Sequence, residues 1–141
     1  MLKRLKRLRD IGEFGFIERL SRLIKVDDTV IAGIGDDAAV LRFKKDKFLL
    51  FTTDMLIEDV HFSFKKTEPF WLGWKALCCN ISDIAAMGGV PKYALVAVGL
   101  SGNITLKTLE RIYRGIRQAA KFYGVNIVGG DTNRSDKLIV S

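Results

Sequence analysis

Residues 67–89, with the sequence TEPFWLGWKALCCNISDIAAMGG, are predicted to form a long helix. Thr67 is a suitable N-cap, and Pro69 lies in the first turn, where a proline is tolerated. The helix is expected to end at Met87-Gly88-Gly89, because glycine commonly closes a helix and Pro91 follows. The side chains expected to be buried recur at helical spacing, and they are Phe70, Trp74, Leu77, Cys78 and Ile81. The pattern predicts a helix that packs one apolar face against the rest of the domain.

The same helix carries one of four acidic motifs, Asn80-Ile81-Ser82-Asp83. Asn80 and Asp83 lie three residues apart and therefore on one face of the helix. A carboxylate on a largely apolar helix needs a charged partner, because burying it alone is expensive. The three other motifs stand at the ends of apolar segments, and they are Gly35-Asp36-Asp37, Thr52-Thr53-Asp54 and Gly129-Gly130-Asp131-Thr132.

Together the four motifs predict a magnesium site. Strand ends at one edge of a sheet point the same way, so we expect three of the motifs to converge on one spot. Carboxylates brought together repel one another unless cations lie between them. Mg²⁺ takes oxygen ligands and keeps several waters, so one or two carboxylates with a Thr or Ser hydroxyl suffice for each ion. A single Asp of this kind is usually a turn or cap residue, but four similar motifs favour a cation site.

Two further helices and several strands are predicted around the long helix. One helix spans Glu13–Ile24. Another is capped by Thr105, ends at Gly124 and has the apolar stripe Leu109, Ile112, Tyr113, Ile116, Ala120 and Tyr123. The expected extended segments are 30–34, 38–43, 48–53, 93–100, 125–128 and 138–141. We expect 48–53 to be a buried strand, since it is a continuous apolar run. Because the sequence stops inside an apolar run, we expect the natural protein to continue past Ser141.

The net charge of +7 is concentrated at the start of the chain. Residues 1–10 hold five basic side chains and one acid, a net of +4, which leaves +3 for residues 11–141. Leu2, Leu5 and Leu8 predict a short amphipathic helix there, with a solvated basic face. This distribution argues against nucleic acid as a partner. The sequence has neither a secretory signal nor an apolar run of about eighteen residues, which predicts a cytoplasmic protein that does not bind a membrane.

A dinucleotide-binding fingerprint is the main competing pattern. Residues 33–38, Gly-Ile-Gly-Asp-Asp-Ala, match G-x-G-x-x-A, and Asp54 lies near the distance expected of a ribose-binding acid. The fingerprint requires a helix at its glycines, whereas residues 38–43 lack helical periodicity, so we reject it. The sequence also lacks a Walker A loop. Cys78 and Cys79 are expected to be buried, reduced thiols, and the single histidine, His61, is a candidate to hydrogen-bond a bound phosphate.

The motifs, in their order along the chain, resemble those of the thiamine-monophosphate kinases. They are Gly12-Glu13-Phe14, Gly33-Ile34-Gly35-Asp36-Asp37-Ala38-Ala39, Thr52-Thr53-Asp54, His61-Phe62, Lys75-Ala76-Leu77, Asn80-Ile81-Ser82-Asp83-Ile84-Ala85-Ala86-Met87-Gly88, Pro91 and Gly129-Gly130-Asp131-Thr132. The resemblance runs from about residue 11 to residue 141 and covers only the family's N-terminal domain, so residues 1–10 are an unplaced basic extension. The kinases form a superfamily with aminoimidazole ribonucleotide synthetase, selenophosphate synthetase and a hydrogenase-maturation factor.

The resemblance implies a role for each matching residue. The implied magnesium ligands are Asp37, Thr52, Thr53, Asp54, Asp83 and Asp131, with Asp36 as an outer-shell neighbour. Gly130 and Asp131 match the loop that meets the nucleotide, and Tyr113 matches a nucleotide contact on a helix. His61 matches a residue that touches thiamine monophosphate. No residue is expected to act as a general base, because the attacking phosphate oxygen is already anionic.

We therefore expect an α+β fold, a mainly antiparallel sheet with helices on one face. The resemblance implies that two copies pair across a two-fold axis into a dimeric barrel. The implied reaction uses ATP and Mg²⁺ to convert thiamine monophosphate into thiamine diphosphate. Residues 11–141 would be the N-terminal ATP- and magnesium-binding domain, which we expect to be inactive alone. Two alternatives remain open: an ATP-using hydrogenase-maturation relative, and a non-catalytic half-length dimerisation module.

Overall fold

A computed structural model describes residues 7–141. Their helices are α1 (Gly12–Leu23), α2 (Pro69–Ala86) and α3 (Leu106–Tyr123). Their strands are β1 (Val30–Ala32), β2 (Ala39–Lys44), β3 (Lys47–Phe51), β4 (Leu56–Ile57), β5 (Tyr93–Leu100), β6 (Asn126–Arg134) and β7 (Ile139–Val140). The α+β class is confirmed. The predicted helix over Leu2 and Leu5 lies outside the described residues, and Leu8 begins a short 3-10 turn that ends at Asp10.

The chain divides into two compact units, the first ending at Phe51 and the second running from Thr52 to Ser141. In the first unit, β1, β2 and β3 form an antiparallel sheet in that order. The prediction of a buried strand over 48–53 is wrong, because β3 leaves Phe48 and Phe51 54% and 58% exposed. An apolar strand is buried only when another layer covers it, and the apolar pattern alone does not supply that layer.

The second unit has a four-stranded sheet in the order β4-β7-β5-β6. β7 pairs antiparallel with both β4 and β5, whereas β5 and β6 are parallel along their whole lengths. Parallel neighbours need a crossover connection, and α3 provides it between β5 and β6. The sheet is therefore mixed, and its longest pairing departs from the expected antiparallel arrangement.

The core of the second unit lies between this sheet and the helix pair α2 and α3. Side chains of β5 alternate, so that Val96 and Val98 are buried while Leu95 is 70% exposed on the opposite face. Leu72 of α2 and Ile112 of α3 are almost completely buried in the same cluster. The expectation that the helices pack on one face of the sheet holds for this unit. Among the residues that the structure describes, no helix is both long enough and apolar enough to cross a membrane.

Side-chain hydrogen bonds cap the N-termini of α2 and α3, and one of the two predicted caps is wrong. The hydroxyl of Thr105 accepts a hydrogen bond from the Thr108 N–H at 3.1 Å, which confirms it as the cap of α3. The predicted cap of α2, Thr67, is wrong, because Glu68 occupies that position and accepts from the Phe70 N–H at 2.9 Å. Glu68 also forms an ion pair with Arg111 of α3, so one carboxylate both caps α2 and joins the two helices.

The Gly129-Gly130-Asp131-Thr132 motif lies inside β6 and does not follow the strand as predicted. Strand β6 has a bulge at the start of the motif. Ala94 of β5 is opposite Ile127 and Leu95 is opposite Gly129, so Val128 has no partner. Gly130 continues the strand because it has no side chain: a Cβ there would lie 1.8 Å from the Val96 carbonyl oxygen. The glycines that suggested a loop are thus what allows β6 to approach β5.

Candidate functional site

Two of the acidic motifs meet at α2 in the second unit. The Thr52 hydroxyl donates to Oδ2 of Asp83 at 2.7 Å, and the Asp54 N–H donates to Oδ1 of Asn80 at 3.0 Å. The Asn80 amide group in turn donates to the carbonyl of Ala76 at 3.1 Å, which fixes the orientation of its side chain. Helix α2 therefore holds the Thr52-Thr53-Asp54 segment at both ends and brings Asp54 and Asp83 into one region.

Two cysteines on α2 lie near these carboxylates, and the pKa of each is raised. Partial burial is the main cause that raises the pKa of Cys79, and the negative charges of Asp54 and Asp83 raise it further against the opposing charge of Lys75. Burial also raises the pKa of Cys78, although a hydrogen bond with the Tyr123 side chain opposes this. Both thiols are free and only partly buried, and they stay protonated near neutral pH. Oxygen atoms, and not thiolates, are therefore the groups at this site that could hold a metal ion.

Thr53 faces a different part of the structure from Thr52. Its hydroxyl lies 3.3 Å from the Ser141 hydroxyl. Ser141 exchanges two backbone hydrogen bonds with Ala97 of β5, at 2.7 and 2.8 Å, and Ala97 is directly opposite Asp131 of β6. Ser141, which follows β7, and Ala97 of β5 therefore lie between Thr53 and Asp131.

The predicted convergence of three acidic motifs is not seen in the second unit, which brings two together. Asp131 lies within β6, and its carboxylate accepts hydrogen bonds from the Thr132 N–H at 2.9 Å and the Asn133 side chain at 2.5 Å. Across residues 7–141 no three His, Cys, Asp or Glu side chains form a metal-binding group. Two carboxylates and a hydroxyl at α2 nevertheless fit Mg²⁺, which keeps several waters and needs few protein ligands.

The Gly35-Asp36-Asp37 motif lies in the first unit, between β1 and β2. The Asp36 carboxylate accepts a hydrogen bond from the Asp37 N–H at 2.9 Å, and both side chains are exposed. The residues that follow form strand β2 and no helix. The observation on which we rejected a dinucleotide-binding loop is therefore confirmed.

The two remaining predicted contacts are both exposed. Tyr113 projects from α3 with 40% of its surface accessible. His61 lies in the turn after β4, and its Nδ1 accepts a hydrogen bond from the Ile57 N–H at 3.0 Å. The structure thus places His61 in the connection between β4 and α2.

Asn80 and Ser141 contact the Thr52-Thr53-Asp54 motif, although the sequence predicted neither of them as a ligand. The helical spacing of Asn80 and Asp83 was a usable signal, because two polar side chains on one face of an apolar helix need a common partner. Ser141 gave no such signal, since its place beside Thr53 depends on how β7 pairs with β5.

Comparison with known proteins identifies relatives over nearly the whole chain. Residues 35–141 match the model of a family described as AIR synthase related protein, N-terminal domain. The chain is 38% identical over 135 residues to thiamine-monophosphate kinase of Aquifex aeolicus and 39% identical over 132 residues to that of Bacillus subtilis. These matches cover 96% and 93% of this chain but only 42% and 41% of the relatives. The chain thus spans about two fifths of the length of the curated relatives it matches.

Solved structures show the same relationship. The structure described as AaThiL complexed with AMPPCP and TMP has a TM-score of 0.87 and 37% identity, covering 98% of this chain and 42% of that one. The Stenotrophomonas maltophilia thiamine-monophosphate kinase has a TM-score of 0.62 at 34% identity, covering 92% of this chain and 40% of that one. The HypE-HypF complex, with a TM-score of 0.61 at 21% identity over 89% of this chain and 39% of that one, shares the fold alone.

Proposed function

This chain belongs to the family described as AIR synthase related protein, N-terminal domain, and we propose that it is the metal- and nucleotide-binding part of a thiamine-monophosphate kinase. Such an enzyme transfers a phosphate from ATP to thiamine monophosphate. Relatives of that name at 38% and 39% identity support the proposal, as does the likeness to a structure complexed with AMPPCP and TMP. The observation that carries it is the pairing of Thr52 and Asp54 with Asp83 and Asn80 on α2.

The residues at α2 supply what phosphoryl transfer needs most, which is positioning and neutralisation of charge. Bound Mg²⁺ would screen the negative charges of the two phosphate-bearing substrates from each other. The Thr52 hydroxyl gives its hydrogen to Asp83, so its oxygen lone pairs remain free to act as a ligand. Asn80 holds the backbone of Asp54, and hence limits the directions in which that carboxylate can point.

The other predicted residues complete the proposal. Thr53, Asp131 and Asp37 are proposed magnesium ligands, and Asp36 is the neighbour of Asp37. The proposed nucleotide contacts are Gly130, Asp131 and Tyr113, and His61 is the proposed contact to thiamine monophosphate. We also propose a cytoplasmic location, in keeping with a biosynthetic role.

Replacing Asp54 by asparagine should weaken magnesium-dependent ATP binding at least tenfold, equivalent to about 1.4 kcal/mol. The substitution keeps the size of the side chain and the backbone bond to Asn80, but removes one negative charge from the proposed ligand set. Calorimetric titration of the chain with ATP, in the presence and absence of MgCl₂, measures the effect.

Asp46→Asn is the matched control, because it removes the same charge from an exposed turn where asparagine is well tolerated. It should leave the affinity unchanged within about twofold, or 0.4 kcal/mol. Equal magnesium-dependent affinities for wild type and Asp54→Asn would refute the metal site at α2.

We further propose that the chain forms a homodimer, because both units expose apolar strand residues. In the second unit Tyr93 and Leu95 are 73% and 70% exposed, on the face of β5 away from the helices. Patches of this kind usually mark protein interfaces. Sedimentation at micromolar concentration should give twice the monomer mass of 15.8 kDa.

Leu95→Lys should convert the dimer to a monomer with little change in thermal stability, since the side chain is exposed in the single chain. Val90→Lys is a matched control, as Val90 is also 70% exposed but lies in the connection between α2 and β5. A wild-type monomer at micromolar concentration, or dissociation by both variants alike, would argue against an interface on the sheet.

A further inference from the structure

A cavity outside the proposed metal site lies between the N-terminal end of α2 and the middle of α3. It has a volume of about 450 Å³ and is lined by Glu68, Phe70, Trp71, Arg111 and Arg114. This volume falls in the range of roughly 300 to 1,000 Å³ that is typical of sites for small molecules. None of the residues proposed above to bind the metal, the nucleotide or thiamine monophosphate lines it. The cavity is therefore a candidate for a second ligand site.

The backbone contact between α2 and α3 fixes the place of this cavity. A Cβ added at Gly115 of α3 would lie 1.9 Å from the Phe70 carbonyl oxygen and 2.9 Å from the Trp74 nitrogen. Arg114 directly precedes Gly115, and Arg111 lies four residues before it, one helical turn away. Because the two backbones touch at this point, both arginines begin close to the first turns of α2.

The cavity carries a net positive charge. Arg111 forms an ion pair with Glu68, whose other carboxylate oxygen accepts the Phe70 N–H at 2.9 Å. The Glu68 oxygen that faces Arg111 is closed off from solvent, so a ligand in the cavity would not meet it. Arg114 is exposed and belongs to no ion pair among residues 7–141. Two arginines against one carboxylate leave one positive charge without a counterpart, and it belongs to Arg114.

Trp71 gives the cavity an aromatic wall. Its ring packs edge to face against Phe70, with ring centres 5.0 Å apart, and against Trp74, with ring centres 6.1 Å apart. Trp71 nevertheless remains 60% exposed. A tryptophan that is held by two other rings but open to solvent is a surface on which a planar ligand ring can stack, since aromatic pairs attract one another.

We propose that this cavity binds a small ligand that combines a planar aromatic ring with phosphate groups. The ring stacks on Trp71, and the phosphate oxygens accept hydrogen bonds from Arg114, because the planar fork of guanidinium donors matches the geometry of phosphate. Arg111, oriented by Glu68, adds a second positive charge. Nucleoside diphosphates and thiamine diphosphate both have this chemistry. Such a site goes beyond the proposed function, because it requires neither magnesium nor the acidic motifs.

Tryptophan fluorescence reports on the cavity directly, because Trp71 and Trp74 are the only tryptophans of the chain. In Trp74→Phe, Trp71 is the single reporter. The titration uses ADP or thiamine diphosphate in the presence of EDTA, so that no magnesium is available to the proposed metal site. At least one of the two ligands should quench Trp71 with a Kd of about 1 mM or lower. The ligand with the lower Kd identifies the source of the ring and the phosphates.

Two substitutions of exposed residues separate the phosphate contact from the ring contact. Arg114→Gln should weaken the binding of the diphosphate ligand and of inorganic pyrophosphate alike, about tenfold each, because a charged hydrogen-bond donor is lost. Trp71→Leu should weaken the diphosphate ligand about tenfold through loss of stacking, and should leave pyrophosphate unchanged within about twofold. Equilibrium dialysis in EDTA measures each affinity.

Arg117→Gln is the matched control, because it removes the same charge from an exposed residue of α3 that does not line the cavity. It should change each affinity by less than about twofold. All three substituted side chains are exposed, so circular dichroism should show that the variants keep the wild-type melting temperature.

Three results would overturn the proposal. They are the absence of binding by both ligands in fluorescence and dialysis, an equal loss in Arg117→Gln and Arg114→Gln, and an equal loss of pyrophosphate and the diphosphate ligand in Trp71→Leu. The proposed function is tested separately, by ATP binding in MgCl₂. A chain that binds the diphosphate ligand in EDTA but gains no affinity for ATP from magnesium would contradict the metal site at α2 and leave the cavity as a ligand site.

Discussion

Gly73→Ala should destabilise the second unit by about 3 kcal/mol or more, because α2 and α3 touch through their backbones. A Cβ at Gly73 would lie 1.9 Å from the Ile112 carbonyl oxygen, and one at Gly115 would lie 1.9 Å from that of Phe70. Both obstacles are backbone atoms of a neighbouring helix, so no side chain can rotate away. The helices would have to separate, which would open the contacts of Leu72 and Ile112 in the core.

Thermal unfolding followed by circular dichroism measures this effect. For a unit of this size, 3 kcal/mol corresponds to a fall in Tm of roughly 12 °C or more. Gly102→Ala is the control, because no atom lies within 4 Å of the added Cβ and its backbone is not left-handed, and it should change stability by less than about 0.5 kcal/mol. If Gly73→Ala and Gly102→Ala melt at the same temperature, the close contact of the two helices is wrong.

The chain of residues 1–141 alone should form thiamine diphosphate at least about 1,000-fold more slowly than typical kinases, which turn over at roughly 1 to 100 per second. Phosphoryl transfer requires both reactants to be held in line, and a small misplacement costs orders of magnitude in rate. The chain spans only 42% and 41% of the two kinase relatives compared above. Tyr113 and His61, its proposed substrate contacts, are both exposed, so they hold a substrate from one side only.

The assay incubates the chain with ATP, MgCl₂ and thiamine monophosphate and measures thiamine diphosphate. Bacillus subtilis thiamine-monophosphate kinase serves as the positive control. A chimera that joins this chain to the part of the Bacillus protein beyond the matched region should recover turnover. Kinase-like rates from residues 1–141 alone would show that the part of the relatives beyond the matched region is not needed for the reaction. A chimera that binds ATP but never forms thiamine diphosphate would argue for another reaction in the family.

The sequence by itself determined those strands and helices whose ends are fixed by residues close to them in the chain. Strand β5 begins and ends at Tyr93 and Leu100 as predicted, and α3 lies between Thr105 and Gly124 because a cap and a left-handed glycine fix its ends. The position of Asn80 and Asp83 on one face of α2 was also predicted, since helical spacing alone puts them there. The strand, helix and strand from Tyr93 to Arg134 were in principle enough to predict a parallel pair.

Tertiary structure decided what depends on a partner distant in the chain. Gly130 belongs to a strand and not to a loop because its neighbour is the backbone of Val96. Thr52 and Thr53 are neighbours in one motif, but their hydroxyl groups bind different parts of the fold. Thr52 binds Asp83 and Thr53 binds Ser141, because a different segment of the chain lies beside each side chain. The His61 ring accepts a hydrogen bond from the Ile57 N–H, and this bond exists only once the turn has closed. Spacing along a sequence cannot specify such contacts, because the folded backbone provides the second partner.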